Sequence, residues 1–85
     1  MKLNILYFAA TRDTVGMDGE TRDFPAGVAT VADVLAALER EGEQYRAAFA
    51  EPSCLRFALD QVFVGIDAPV RDGAELGIFP PVTGG

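Results

Sequence analysis

The chain has no histidine, one serine and one cysteine. Without histidine it lacks the commonest general base and metal ligand of near-neutral chemistry. Ser53 and Cys54 therefore have no imidazole to activate them, which excludes Ser/His and Cys/His nucleophile pairs. A lone cysteine also excludes an internal disulfide or a cysteine-based metal framework. Cys54 reads as a small buried hydrophobe, with a reactive sulfur as the competing reading. No basic cluster occurs, and the formal charge is −6, so a polyphosphate is repelled and nucleic acid is excluded as a partner. No apolar run approaches a membrane span, and Met1-Lys2-Leu3 leads into strand-like sequence without a secretory core. The expected location is the cytoplasm.

Phosphate-binding and calcium loops are missing too. Gly16, Gly19 and Gly27 neither fit a phosphate-binding pattern nor open a helix. Asp13, Asp18, Glu20 and Asp23 lack calcium-loop spacing and read as a solvated polar stretch. With no catalytic constellation of its own, the chain looks like something on which enzymes act. Its acidic balance suits a partner with a basic docking face, although solubility alone accounts for it as well.

At 85 residues, nearly half of them hydrophobic, the chain makes one folded domain. Residues 2–10 alternate as a strand, with Leu3, Ile5, Tyr7 and Ala9 on one face and Lys2, Asn4, Leu6, Phe8 and Ala10 on the other. Residues 11–19 read as a polar turn region, and a second strand covers 20–24. Thr30 and Asp33 mark a helix start, Val31, Val34, Leu35 and Leu38 form its apolar stripe, and Gly42 ends it. A shorter helix over 43–50 puts Tyr45, Ala48 and Phe49 on the core. Three short strands follow. Leu55, Phe57, Leu59, Val62, Val64, Ile66, Leu76 and Ile78 face inward, whereas Phe63, Gly65, Glu75, Gly77 and Phe79 face outward. The order strand, strand, helix, strand, strand, strand predicts an α+β fold, one sheet on one main helix.

Leu6, Phe8, Phe63 and Phe79 thus occupy outward positions that a solitary domain fills with polar residues. If the first strand lies beside the last, the three rings form one patch, and a contiguous exposed apolar patch marks a docking surface. The alternative is that the short helix or a loop covers them.

The ending Phe79-Pro80-Pro81-Val82-Thr83-Gly84-Gly85 has its own physics. Consecutive prolines have no N–H to donate, so strand pairing stops near Phe79 and a stiff, polyproline-like stem leaves the body. Gly84 and Gly85 then let backbone enter a narrow site without a Cβ colliding with its walls. A carboxylate at such a tip becomes reactive only once another protein converts it to a mixed anhydride. The competing reading is a terminus that merely frays. Domain boundaries follow: a body over 1–79 and an extended tail over 80–85.

Val70-Arg71-Asp72-Gly73-Ala74-Glu75-Leu76-Gly77-Ile78-Phe79-Pro80-Pro81-Val82-Thr83-Gly84-Gly85, with Ile5-Leu6-Tyr7-Phe8-Ala9, closely resembles the MoaD-like family of molybdopterin synthase sulfur-carrier subunits. The likeness spans essentially the whole chain and is specific mainly in the Asp-Gly turn and the ending, since residues 30–55 are generic helix. It implies a ubiquitin-like β-grasp fold, a mixed sheet of about five strands packed on one main helix with an extended C-terminal tail. It implies that Gly85 is adenylated by an ATP-using, ubiquitin-activating-like enzyme and converted to a thiocarboxylate. The tail then inserts into the large synthase subunit, and its sulfur goes to precursor Z, in an assembly of two large and two small subunits. On this resemblance Gly85 bears the sulfur and Gly84 is the slim approach. Phe79, Pro80, Pro81, Val82 and Thr83 form the inserted stem, and Leu6, Phe8, Phe63 and Phe79 form the contact surface. The chain itself is then a non-catalytic subunit that binds no cofactor or metal. Gly77 and Ala74 depart from the family pattern and are expected to soften the last strand. Two alternatives stay open: a carrier serving thiamine thiazole synthesis, tRNA thiolation or protein conjugation, and a non-covalent β-grasp interaction module.

Overall fold

The first and last strands lie side by side in the middle of one sheet. The computed structural model describes residues 1–80, in the order β1 (Lys2–Tyr7), α1 (Ala9–Val15), β2 (Gly19–Asp23), α2 (Val31–Glu39) and α3 (Glu43–Ala48). A 3₁₀ turn (Pro52–Cys54), β3 (Arg56–Leu59), β4 (Val62–Val64) and β5 (Glu75–Phe79) complete it. The strand order is β2-β1-β5-β3-β4, with β1 and β5 parallel and the other neighbours antiparallel. Register is set by alternation, because a one-residue slip would expose every core side chain. Leu3, Ile5, Tyr7, Phe57, Leu76 and Ile78 all point to the helix side and are buried.

α2 covers that face. Val31, Val34, Leu35 and Leu38 join the sheet residues in one hydrophobic cluster with Tyr45 and Phe49. Truncating such a residue to alanine costs about 2–5 kcal/mol. Its start is a full capping box: the Thr30 hydroxyl accepts from the Asp33 N–H at 3.3 Å, and Asp33 Oδ2 accepts from the Thr30 and Ala29 N–H groups at 3.1 and 2.9 Å. Those bonds to the charged form hold the Asp33 carboxyl below its ordinary range.

Several expectations need correction. β1 ends at Tyr7, and the stretch expected to be polar turn is α1, closed by Gly16 in the left-handed region at φ 94°. Thr11 and Val15, one helical turn apart, are its buried residues. α2 ends at Glu39 with Arg40 as its C-cap, and Gly42 is instead the N-cap of α3. Val62 stands on the inward side yet is 63% exposed, because β4 is the sheet edge and projects past the helix layer. Cys54 is exposed on the 3₁₀ turn, its Sγ 3.6 Å from Glu51, where the expectation was burial. Among the described residues no helix is long and apolar enough to cross a membrane.

The β3–β4 hairpin turns through Asp60 and Gln61, both left-handed at φ 48° and 71°. Asp60 is held by the sheet itself. Its N–H donates to the Glu75 carbonyl at 2.9 Å, and its carboxylate accepts from the Glu75 N–H at 3.0 Å and from Arg71 at 3.2 Å.

Candidate functional site

Parallel pairing of β1 and β5 decides what gathers at the root of the tail. The register matches Leu6 with Gly77 and Tyr7 with Ile78, so Phe8 and Phe79 come next at the same end. The Phe8 N–H donates to the Ile78 carbonyl at 3.2 Å, and there the chain turns away into α1. The two rings stack face to face, centroids 4.3 Å apart and planes within 2°. Phe63 arrives from β4, its ring 5.8 Å from that of Phe79 and tilted by 54°.

The three outward rings therefore meet, as alternation requires of them. Phe63 is 69% exposed and Phe8 37%, while Phe79 and Leu6 are half-buried. Among the described residues no helix covers this face: α2 and the core lie on the other side of the sheet. The Phe8 and Phe79 rings lie low because small residues lie beneath. Gly77 pairs with Ala58 across β5 and β3, and both are buried although they face away from the helices. Leu6 does the same over Gly19, where a Cβ would come 3.0 Å from Leu6 Cδ2 and 2.7 Å from the Ile5 carbonyl. The result is a flat apolar plate, built from Leu6, Phe8, Phe63 and Phe79 on a floor of Gly19, Ala58 and Gly77. Sequence reasoning found the rings and missed the floor. Its signal was small residues at outward positions next to aromatic ones.

Pro80 lies on the opposite side. It is half-buried and borders a hollow with Ala10, Thr11 and Thr14 of α1, Ala48 of α3, and Leu55. The root of the tail is thus braced by rings on one face and by two short helices on the other. Pro81, Val82, Thr83, Gly84 and Gly85 lie outside the described residues.

A polar network holds α3 in place. Tyr45 of α3 and Tyr7 of β1 both donate to Glu20 Oε2, at 2.5 and 2.8 Å, and Arg22 donates to Glu20 Oε1 at 3.3 Å and pairs with Glu41. Burial first, then the bond to Glu20, pushes the Tyr45 phenol up to about 12, and the same causes raise Tyr7 further. The Arg22 guanidinium is raised by its bond to Glu41. Among the described residues no buried side-chain nitrogen or oxygen lacks a hydrogen-bond partner.

Known proteins are similar to this chain in sequence and in fold. A molybdopterin synthase sulfur carrier subunit from Haemophilus influenzae is 36% identical over 98% of this chain and 99% of its own length. The protein of that description from Escherichia coli is 34% identical, again over 98% of this chain and 99% of its own length. In three dimensions a Pyrococcus furiosus protein assigned as molybdopterin converting factor subunit 1 superposes with a TM-score of 0.75, at 26% identity, over 96% of this chain and 99% of that one. The mixed five-stranded sheet on one main helix is the β-grasp fold expected from the resemblance, and the model of the ThiS family matches residues 5–85: the chain belongs to the ThiS family.

Proposed function

We propose that this chain is the sulfur-carrier subunit of a molybdopterin synthase. The observation that carries the reading is full-length identity of 36% and 34% to two curated carrier subunits of that enzyme. The flat aromatic plate at the root of the tail supports it, because a carrier must dock on each enzyme that loads or unloads it.

The chemistry runs at Gly85. Its carboxylate attacks the α-phosphate of ATP on an activating enzyme, releasing pyrophosphate and leaving an acyl-adenylate. A sulfur donor then displaces AMP, and the product is a thiocarboxylate, a nucleophile stable enough in water to be carried. Inserted into the large synthase subunit, its sulfur bonds to a carbon of precursor Z in place of an oxygen, which leaves as water, and hydrolysis of the acyl–sulfur link restores the carboxylate. Tethering delivers the sulfur at high effective concentration. Gly84, Thr83, Val82 and Pro81 serve as the narrow approach. Leu6, Phe8, Phe63 and Phe79 dock, while the partners supply bases, cationic groups and ATP. Two large and two small subunits complete the assembly, which works in the cytoplasm.

Incubation with the activating enzyme, ATP and a sulfur donor tests this. The expected product has one oxygen replaced by sulfur on the last residue, and adding the large subunit and precursor Z discharges it. An unchanged mass in a mixture that loads an authentic carrier would overturn the reading. Discharge to a thiazole synthase, a tRNA-thiolating enzyme or a lysine side chain, and not to precursor Z, would assign the carrier to another recipient.

A further inference from the structure

Gly77 is buried on the face of the sheet opposite α2, and rings are what bury it. A Cβ built there would lie 3.1 Å from Phe79 Cε1 and 3.3 Å from Phe8 Cε2, closer than side chains normally approach. Strand side chains ordinarily stand up from the sheet. Phe79 instead leans back along its own strand over residue 77, and Phe8 leans in from β1, which is how two rings on parallel neighbours become coplanar within 2°. Ala58 continues the floor toward β4, where Phe63 tilts against the outer side of Phe79. Position 77 thus lies against both members of the stack.

The stack fixes the last residue before a proline. A residue preceding proline is confined to extended conformations, so once its side chain is pinned, little freedom remains in the direction of the chain. Pro80 leaves from there into the hollow beside α1 and α3.

We infer that Gly77 is a positioning residue: because position 77 carries no bulky side chain, Phe79 lies flat on Phe8, and the stack sets the direction in which the chain leaves β5 at Pro80. The inference rests on the carrier reading for its purpose, because direction matters if the tail after Pro80 must enter a partner's site. Aiming the stem before docking removes an ordering cost from binding and keeps the reacting end in register with its acceptor.

Comparing Gly77→Ala with Gly77→Val tests it. A single methyl asks the rings to yield by a few tenths of an ångström, so Gly77→Ala keeps the stack, whereas the branched side chain of Gly77→Val lifts Phe79 off Phe8. In the isolated chain, the ring-current shifts of the Phe8 and Phe79 aromatic protons collapse in Gly77→Val and persist in Gly77→Ala. With the loaded carrier and saturating large subunit, kcat for sulfur transfer falls about tenfold to a hundredfold in Gly77→Val. Gly77→Ala stays within about threefold of the native chain. Phe63→Ala provides contrast: it removes docking area at the edge of the stack while Phe8 still lies on Phe79, so it raises KM for the large subunit more than it lowers kcat. If Gly77→Val fails to fold, Phe8→Leu breaks the stack from the other side, and the same fall in kcat is expected. Native kcat in either stack-breaking variant, or native ring shifts in Gly77→Val, would overturn the inference. A native chain that takes up no sulfur would instead sink the carrier reading, while the ring shifts still decide whether Gly77 governs the stack.

Discussion

The phenols of Tyr7 and Tyr45 donate to the same oxygen, Glu20 Oε2. Tyr7 lies on β1, beside the central strand, and Tyr45 on the short helix that walls the hollow beside Pro80, so one carboxylate ties sheet, helix and tail root together. Hydrogen bonds to a charged group are worth about 1.5–3 kcal/mol each, and a buried donor without an acceptor costs about 1–3 kcal/mol. Tyr45→Phe should therefore destabilise the chain by about 1.5–3 kcal/mol, and Glu20→Ala, which strands both phenols, by more. Urea unfolding measures both. Equal costs for the two variants would show that the phenols do not depend on the shared oxygen.

The same pair fixes the alkaline limit of stability. Tyr45 is raised from an ordinary value of 10.0 to about 12, and Tyr7 is raised as well, so the folded chain holds both protons more tightly than the unfolded one. Their contribution is complete below about pH 10, where both states are protonated, and is lost as pH rises through the folded values. Chemical unfolding at intervals from pH 8 to pH 12 should give a flat stability, then a decline beginning near pH 10, and a shallower decline in Tyr45→Phe. Identical slopes in the native chain and the variant would remove Tyr45 from the account.

At the acid end the capping box should dominate the start of α2. The Asp33 carboxyl is held below its ordinary value of 3.8 by the Ala29 and Thr30 N–H groups, so its contribution is present above that value and is lost as pH falls below it. Thr30→Ala removes the other half of the box and should cost about 1 kcal/mol at neutral pH. Asp33→Asn should flatten the acid limb of the stability profile. A limb as steep as in the native chain would contradict the assignment.

Two turn residues with the same backbone twist should respond oppositely to glycine. Gln61 has φ 71°, and the left-handed region costs a side chain about 1–2 kcal/mol. Allowing for the greater freedom of unfolded glycine, Gln61→Gly should stabilise the chain by about 0.5–1 kcal/mol. Asp60→Gly relieves the same strain at φ 48° but forfeits the bonds to the Glu75 N–H and Arg71, so it should destabilise. Thermal melting of the two variants is sufficient, and shifts in the same direction would refute the distinction.

How much of this was legible depends on which forces are local. Alternation located the strands and put Leu3, Ile5, Leu76 and Ile78 in the core, since period and burial coincide in a sheet with one covered face. Thr30 and Asp33 announced α2 because a capping box is a short-range motif. α1 was hidden: its seven residues include two threonines, a valine and an aspartate, all mediocre helix formers, and only Thr11 and Val15 mark a face. Tertiary packing makes that helix, and Gly16 as its left-handed cap was the one local clue. Val62 and Cys54 went wrong for another reason. Hydrophobicity says what a side chain prefers, and it cannot tell where the helix layer stops. The plate was half legible, because outward phenylalanines are conspicuous, whereas Gly77 as their bed depends on a register known only once β1 and β5 are paired.

Phe63 separates docking from folding most cleanly. Its ring is 69% exposed, sits on a three-residue edge strand and touches the stack only through the tilted contact with Phe79. Removing it takes little from the core, so Phe63→Ala should leave unfolding free energy within about 0.5 kcal/mol of native. At a protein interface a buried aromatic anchor is worth about 2 kcal/mol or more, which corresponds to a loss of about thirtyfold in affinity. Titration calorimetry against the large synthase subunit should show that loss, and Phe63→Asp should deepen it by bringing a desolvated charge to the contact. Should both variants bind as tightly as the native chain, the plate is not where the partner lands, and the docking surface must be sought on the helix side of the tail root, around the hollow beside Pro80.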